Sequence, residues 1–329
     1  MLDRSKGSAV SYYDGFVFFK NGVMLCAKPD ALDYDDYCFG RTYDWENGSW
    51  GHSNLPFQCI SACKFEPKSR KPSYIIYTLG QMSGSVQSYW PRGSNTTYEY
   101  LPGAKEQGGL LHLKQIRVIG EDLYVVGIQS QVFRRRKDKW EVFNQGLPQA
   151  LTTEQARGMG TEQIIERTMD QAADLESIDG IAGQALYAVG AAGAMFHRSG
   201  RGHWSKLPQI TNAGLHRVRV IDADTVYAVG NRGMLLKGNA SAGFSVIPTH
   251  LDEDLWGLEW FDGKLYLGGV KGGVYVYDGK NVLRAPGLPA FECHTLHANA
   301  GQLLAVGSKH VYLSDDAANW TFLQNPYNV

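Results

Sequence analysis

The chain has 329 residues, 32 Lys and Arg against 33 Asp and Glu, a formal net charge of −1, 38 glycines and five scattered cysteines. Near-neutral charge selects no nucleic acid or anionic membrane, and an odd, scattered set of cysteines is no disulfide framework. No run of about 18 apolar residues is present to span a bilayer, and residues 1–8 lack the apolar stretch of a signal peptide, so a soluble cytoplasmic protein is expected.

Seven similar units follow one another. Unit one, 14–56, carries Asn-Gly turns at Asn21 and Asn47 and closes on Leu55-Pro56. Unit two, 57–102, holds a loose strand at 74–80 and closes on Leu101-Pro102. Unit three, 110–148, contains Leu-Tyr-Val-Val-Gly at 123–127 and closes on Leu147-Pro148. Unit four, 177–208, repeats the mark as Leu-Tyr-Ala-Val-Gly at 186–190, and unit five, 214–248, as Val-Tyr-Ala-Val-Gly at 226–230. In unit six, 254–289, Asp-Gly turns at Asp262 and Asp278 separate alternating strands, a strong hairpin signal. Unit seven, 292–326, ends the series. The glycines at 190, 230, 269 and 307 are spaced by 40, 39 and 38 residues. That period, with four strands per unit, predicts an all-β chain folded as one seven-bladed β-propeller of four-stranded blades. Trp140, Trp204, Phe244 and Trp320, at the outermost strands, are expected to fill space between blades. Residues 9–13 stand where they could add to unit seven and lock the ring.

Two segments interrupt the period. Residues 28–36 widen a loop in unit one, and 151–176 separate units three and four. In the second, Ile164, Ile165 and Met169 recur at helical spacing behind a capping Thr161, which predicts a short amphipathic helix.

The Val-Gly strand followed by a turn, a third strand and a Trp-led fourth resembles the Asp-box (BNR-type) propellers and those of photosystem II assembly factors. Ser314-Asp-Asp-Ala-Ala-Asn-Trp320 is the nearest copy of the box, with Ala318 where the family has glycine. The resemblance implies the fold over roughly residues 70–325. It carries no activity, because propellers host many unrelated ones.

The chain shows no nucleophile elbow and no His-Glu-x-x-His motif. Cys59 with Cys63 and His294 with His297 have spacings that, on strands, cannot converge on one zinc. Asp30, Asp33, Asp35 and Asp36 lack the spacing of a calcium loop. Neither metal nor cofactor is expected. The basic run Arg134–Lys137 reads as a solvated hairpin tip rather than a nucleic-acid groove.

Propeller topology places blade connections and second-to-third strand loops on one face. On it fall 28–36 at net −3, 249–256 at −3 and 151–176 at −4, together −10 on a chain of −1. A one-signed face speeds and orients the approach of an oppositely charged partner. The sequence therefore points to a non-catalytic, cytoplasmic, monomeric propeller that binds a basic protein partner. Its docking residues are expected at Asp33, Tyr34, Asp35, Asp36, Glu162, Glu166, Asp170, Asp252, Glu253, Asp254 and the anchor Trp256. An immunity protein neutralising a bacterial toxin fits that logic. The alternative is a carbohydrate site at the central channel, using Arg217, Glu259, His294 and His297.

Overall fold

The computed structural model describes residues 9–30, 39–68, 74–90, 96–106, 108–110, 112–149, 157–163 and 173–328. Its 28 strands, β1–β28 in chain order, form seven antiparallel four-stranded sheets, each made of consecutive strands. The first strand of each blade is innermost: β1 (Val10–Phe19), β5 (Cys59–Phe65), β9 (Leu113–Ile119), β13 (Leu175–Ile181), β17 (Leu215–Val220), β21 (Leu255–Phe261) and β25 (Thr295–Asn299). Each packs against the first strands of both neighbours, so the seven enclose a channel. The molecule is the seven-bladed propeller that the period implies.

Helix is scarce among the described residues. A 3-10 turn spans Ala191–Gly193, and 161–163 are helical. The expected continuation of that helix, with Glu166 and Asp170, lies outside the described residues, as do Asp33, Tyr34, Asp35 and Asp36.

Stability comes from the blade interfaces. Seven apolar clusters are present, one between each adjacent pair of blades, the last joining blades seven and one. Trp140, Trp204, Phe244 and Trp320 each join the cluster shared with the preceding blade. Trp204 is buried, and its indole N–H donates to Phe143 O of blade three at 2.8 Å. Trp320 reaches Pro286 O of blade six at 3.2 Å.

The Val-Gly mark has a steric cause. A Cβ on Gly190, Gly230 or Gly307 would collide with the carbonyl oxygen of Asp174, Gly214 or Glu292. At these points the chain enters the next blade directly over the end of a second strand, and only glycine leaves room.

Turns between third and fourth strands share another device. Asp316 Oδ1 accepts the amides of Ala318 and Asn319, the nearest Asp-box copy. Asp278 Oδ1 does the same for Lys280 and Asn281, and Asn239 Oδ1 for Ser241 and Ala242. One Asx side chain thus folds the turn in blades five, six and seven without the full motif. These backbone bonds, led by that from Asn319, hold the Asp316 carboxyl well below its usual range.

Residues 10–13 belong to blade one, pairing from Val10 against Pro29. Among the described residues no strand is exchanged with blade seven. The ring closes through one backbone bond, Tyr12 N to Ser308 O at 3.0 Å, and through side chains: Gln302 Oε1 accepts Asn21 N at 2.7 Å, Asn299 Nδ2 donates to Val17 O at 2.9 Å, and Asn325 Nδ2 donates to the Tyr12 hydroxyl at 2.9 Å.

Candidate functional site

One five-residue pattern, repeated at the start of each innermost strand, decides what the channel presents. Blades one to four read Tyr12-Tyr-Asp-Gly-Phe16, Cys59-Ile-Ser-Ala-Cys63, Leu113-Lys-Gln-Ile-Arg117 and Leu175-Glu-Ser-Ile-Asp179. Blades five to seven read Leu215-His-Arg-Val-Arg219, Leu255-Trp-Gly-Leu-Glu259 and Cys293-His-Thr-Leu-His297. The first position is buried in all seven. The second is skipped by the strand pairing in blades one to six, where the register jumps from the first position to the third. Such a bulge re-aims the side chain it carries. Here it turns the second position into the channel mouth.

The mouth opens on the face that carries the blade connections, into a chamber of about 450 Å³. Tyr13, Ile60, Lys114 and Glu176 line it from blades one to four, and His216, Trp256 and His294 from blades five to seven. Lys114 and Glu176 are ion-paired at 2.9 Å. Trp256, still 37% exposed, stacks on His216 with ring centroids 3.8 Å apart and planes 7° from parallel. His216 Nε2 contacts Asn231 Oδ1 and its Nδ1 is buried without a partner. Burial lowers the His216 and His294 pKa values below the ordinary imidazole range, favouring neutral rings.

Third-position side chains form a belt. Asp14 accepts Ala62 N, Ser61 accepts Ile116 N, Gln115 accepts Ile178 N and Ser177 accepts Val218 N, at 2.9–3.3 Å. Each ties its blade to the next. Arg217 and Gly257 cannot continue the series, because guanidinium is donor-only and glycine has no side chain.

Below the belt the fifth positions make a charged layer. Arg117 pairs with Asp179 at 2.9 Å, Asp179 with Arg219 at 3.6 Å and Arg219 with Glu259 at 2.7 Å, alternating in sign over four successive blades. Burial pushes the Glu259 carboxyl up to about 8, while the Arg219 contact favours its ionised form. His297 Nδ1 accepts Val17 N at 3.2 Å. This layer borders a second chamber of about 420 Å³, and Arg217 lines both chambers.

The expected docking residues fare differently. Asp252 is exposed, and Asp254 is half-buried with its carboxylate accepting Arg232 N at 2.9 Å. Glu253 is buried: its carboxylate accepts the Tyr275 hydroxyl and the amides of Lys271 and Gly272. It folds the turn between the second and third strands of blade six, so it offers no charge to a partner. Glu162 is exposed. Arg217, Glu259, His294 and His297 all line the channel. Three of the four cations in the basic run are paired within the fold: Arg134 with Glu141, Arg135 with Glu99, and Arg136 with Asp122. Among the described residues no group of three or more His, Cys, Asp or Glu side chains is arranged to hold a metal. The mouth residues Lys114, Glu176 and His216 escaped the sequence reading, although aligning the seven pentads on their buried first residue brings them out.

Fold and channel together define a propeller with two chambers, one largely apolar at the mouth and one polar beneath it. No family model matches the chain. It is 25% identical over 321 residues to the immune protein Tsi7 of Pseudomonas aeruginosa, covering 93% of this chain and 95% of that protein. Among solved structures it resembles YCF48 from Cyanidioschyzon merolae, with a TM-score of 0.62, 13% identity and coverage of 93% and 95% of the two chains. The WD40 propeller domain of Doa1 gives a TM-score of 0.64 at 10% identity, covering 98% and 96%. These structures attest the fold alone.

Proposed function

We propose that this chain is an immunity protein: a non-catalytic propeller that binds a protein toxin and neutralises it. The observation that carries the reading is the similarity to immune protein Tsi7, which runs through nearly the whole of both chains. The face with the channel mouth is the docking side. It presents a large aromatic, Trp256, in a rigid frame, and buried aromatics are frequent interface anchors. The segments 28–36 and 151–176, which connect to that side, carry net negative charge in the sequence, which suits a basic partner in the cytoplasm. Catalysis is not part of the reading. The channel carboxylates Glu259 and Asp179 are held in ion pairs, and Asp14 accepts the Ser61 hydroxyl.

The test is neutralisation. Toxic products of genes adjacent to this one are induced in a laboratory host with and without this protein. Growth arrest that co-expression relieves, together with a purified complex, is the expected result. Trp256→Ala is expected to weaken that complex by at least about 2 kcal/mol, mainly through faster dissociation. If this protein neutralises and binds none of the neighbouring toxic products, the reading fails.

A further inference from the structure

Among the described residues the Arg217 side chain makes no hydrogen bond or salt bridge, although its backbone pairs within the blade opposite Val229. Nearby carboxylates are engaged elsewhere: Asp14 by Ser61 and the Ala62 amide, Glu176 by Lys114, Glu259 by Arg219, and Glu292 by Ser308. The guanidinium is half-buried between the two chambers, and desolvation there lowers its pKa from the ordinary value. An unpaired, desolvated cation costs free energy unless an anion completes it. A fold that needed only structure at this position would place an acceptor there, as blades one to four do.

The surroundings define the anion. Asp14, Glu176 and the like-charged Arg117 act on Arg217 electrostatically without pairing with it, and the repulsion that the two carboxylates exert grows in proportion to the charge of a ligand, which favours a singly charged one. The chamber above Arg217, about 450 Å³, is large enough for a small ligand or one protruding side chain. Its wall offers the face of Trp256 and the apolar side chains of Ile60 and Val270.

We infer that the upper chamber binds a monocarboxylate carrying an apolar or aromatic body, its carboxylate on Arg217 and its body against Trp256. Planar bidentate pairing with carboxylate is what arginine does best. The carboxylate belongs either to a free small molecule or to an acidic residue of a docked protein. The second source rests on the toxin-binding reading; the binding chemistry does not.

The probe is sodium benzoate, with benzamide and inorganic phosphate as controls, followed by saturation-transfer NMR on the whole protein. Benzoate is expected to bind saturably, and benzamide and phosphate are not. Arg217→Gln is expected to weaken benzoate at least about tenfold, the loss of one charge-assisted pair. Arg217→Lys should fall between the two. Thermal melting separates this from a structural role: without ligand, Arg217→Gln should melt no lower than the parent, because it removes an unpaired cation. Equal benzoate binding by parent and Arg217→Gln overturns the inference, as does equal binding of benzamide, a preference for phosphate, or a lower melting point for Arg217→Gln. With the neutralised toxin in hand, competition by benzoate assigns the carboxylate to the partner, and unchanged toxin binding assigns it to a free ligand. Failure of every toxin assay leaves the benzoate result standing, so the two readings fail separately.

Discussion

Asp252, Glu253 and Asp254 look alike in sequence, yet the fold gives them three roles. Asp252 faces solvent, Asp254 caps the Arg232 amide, and Glu253 turns inward to three donors. Nothing in an acidic run says which side chain a turn will bury. The consequence is measurable by denaturant unfolding. Glu253→Ala should cost about 2 kcal/mol, since it strands the buried Tyr275 hydroxyl and removes the acceptor of two part-buried amides. Asp252→Lys should change stability by less than about 0.5 kcal/mol. If the two substitutions cost the same, Glu253 is a surface charge after all. Any charge-reversal test of docking belongs at Asp252, where binding is separated from folding.

At the scale of elements, the insertion between blades three and four is expected to be dispensable, but its limits are set by structure. Leu175 already opens β13, the Ala173 amide donates to Ser130 Oγ, and Asp174 caps Gln129 N. The removable part therefore stops short of residue 173. Both of its flanks are tied to Ser130, one directly and one through Asn144. Asn144 Nδ2 donates to Gln149 Oε1 and to Ser130 O, and Ser130 N donates to Ala173 O. A Gly-Ser bridge of about four residues spans such a gap. Replacing 151–171 with it should leave a cooperative transition within about 1 kcal/mol of the parent. Loss of cooperative unfolding in that variant would show that the segment is part of the core.

Across the whole molecule, the chain ends meet at the seam between blades seven and one. Blades seven and one share an apolar cluster, the backbone bond from Tyr12 N to Ser308 O, and several side-chain bonds. His297 contributes one of those bonds as an acceptor, which requires a neutral ring. Burial, aided by Arg117 and Lys64, depresses its pKa to about 3 from the ordinary 6.5. The folded state then binds fewer protons than the unfolded chain between those values. Its contribution is complete above pH 6.5 and is lost as pH falls toward 3. The slope is at most about 1.4 kcal/mol per pH unit. Urea unfolding at pH 7, 6 and 5 should show a flatter decline for His297→Gln than for the parent. Parallel declines would mean that His297 titrates normally in the fold. His216 and His294, also depressed, act in the same direction in both proteins.

The sequence by itself determined the architecture, because a period is a local property repeated. Closers, turns and Val-Gly ends each follow from short-range chemistry, and seven copies leave one way to bury every apolar face. It also announced the aromatic wedges Trp140, Trp204, Phe244 and Trp320. Only the tertiary structure decided what the channel holds. A bulge at the second position, an acceptor belt broken at Arg217 and a charge layer alternating through Arg117, Asp179, Arg219 and Glu259 join residues about a blade apart in the chain. Their meaning lies in which neighbour each one faces across the ring, and a linear reading of any single blade does not contain it.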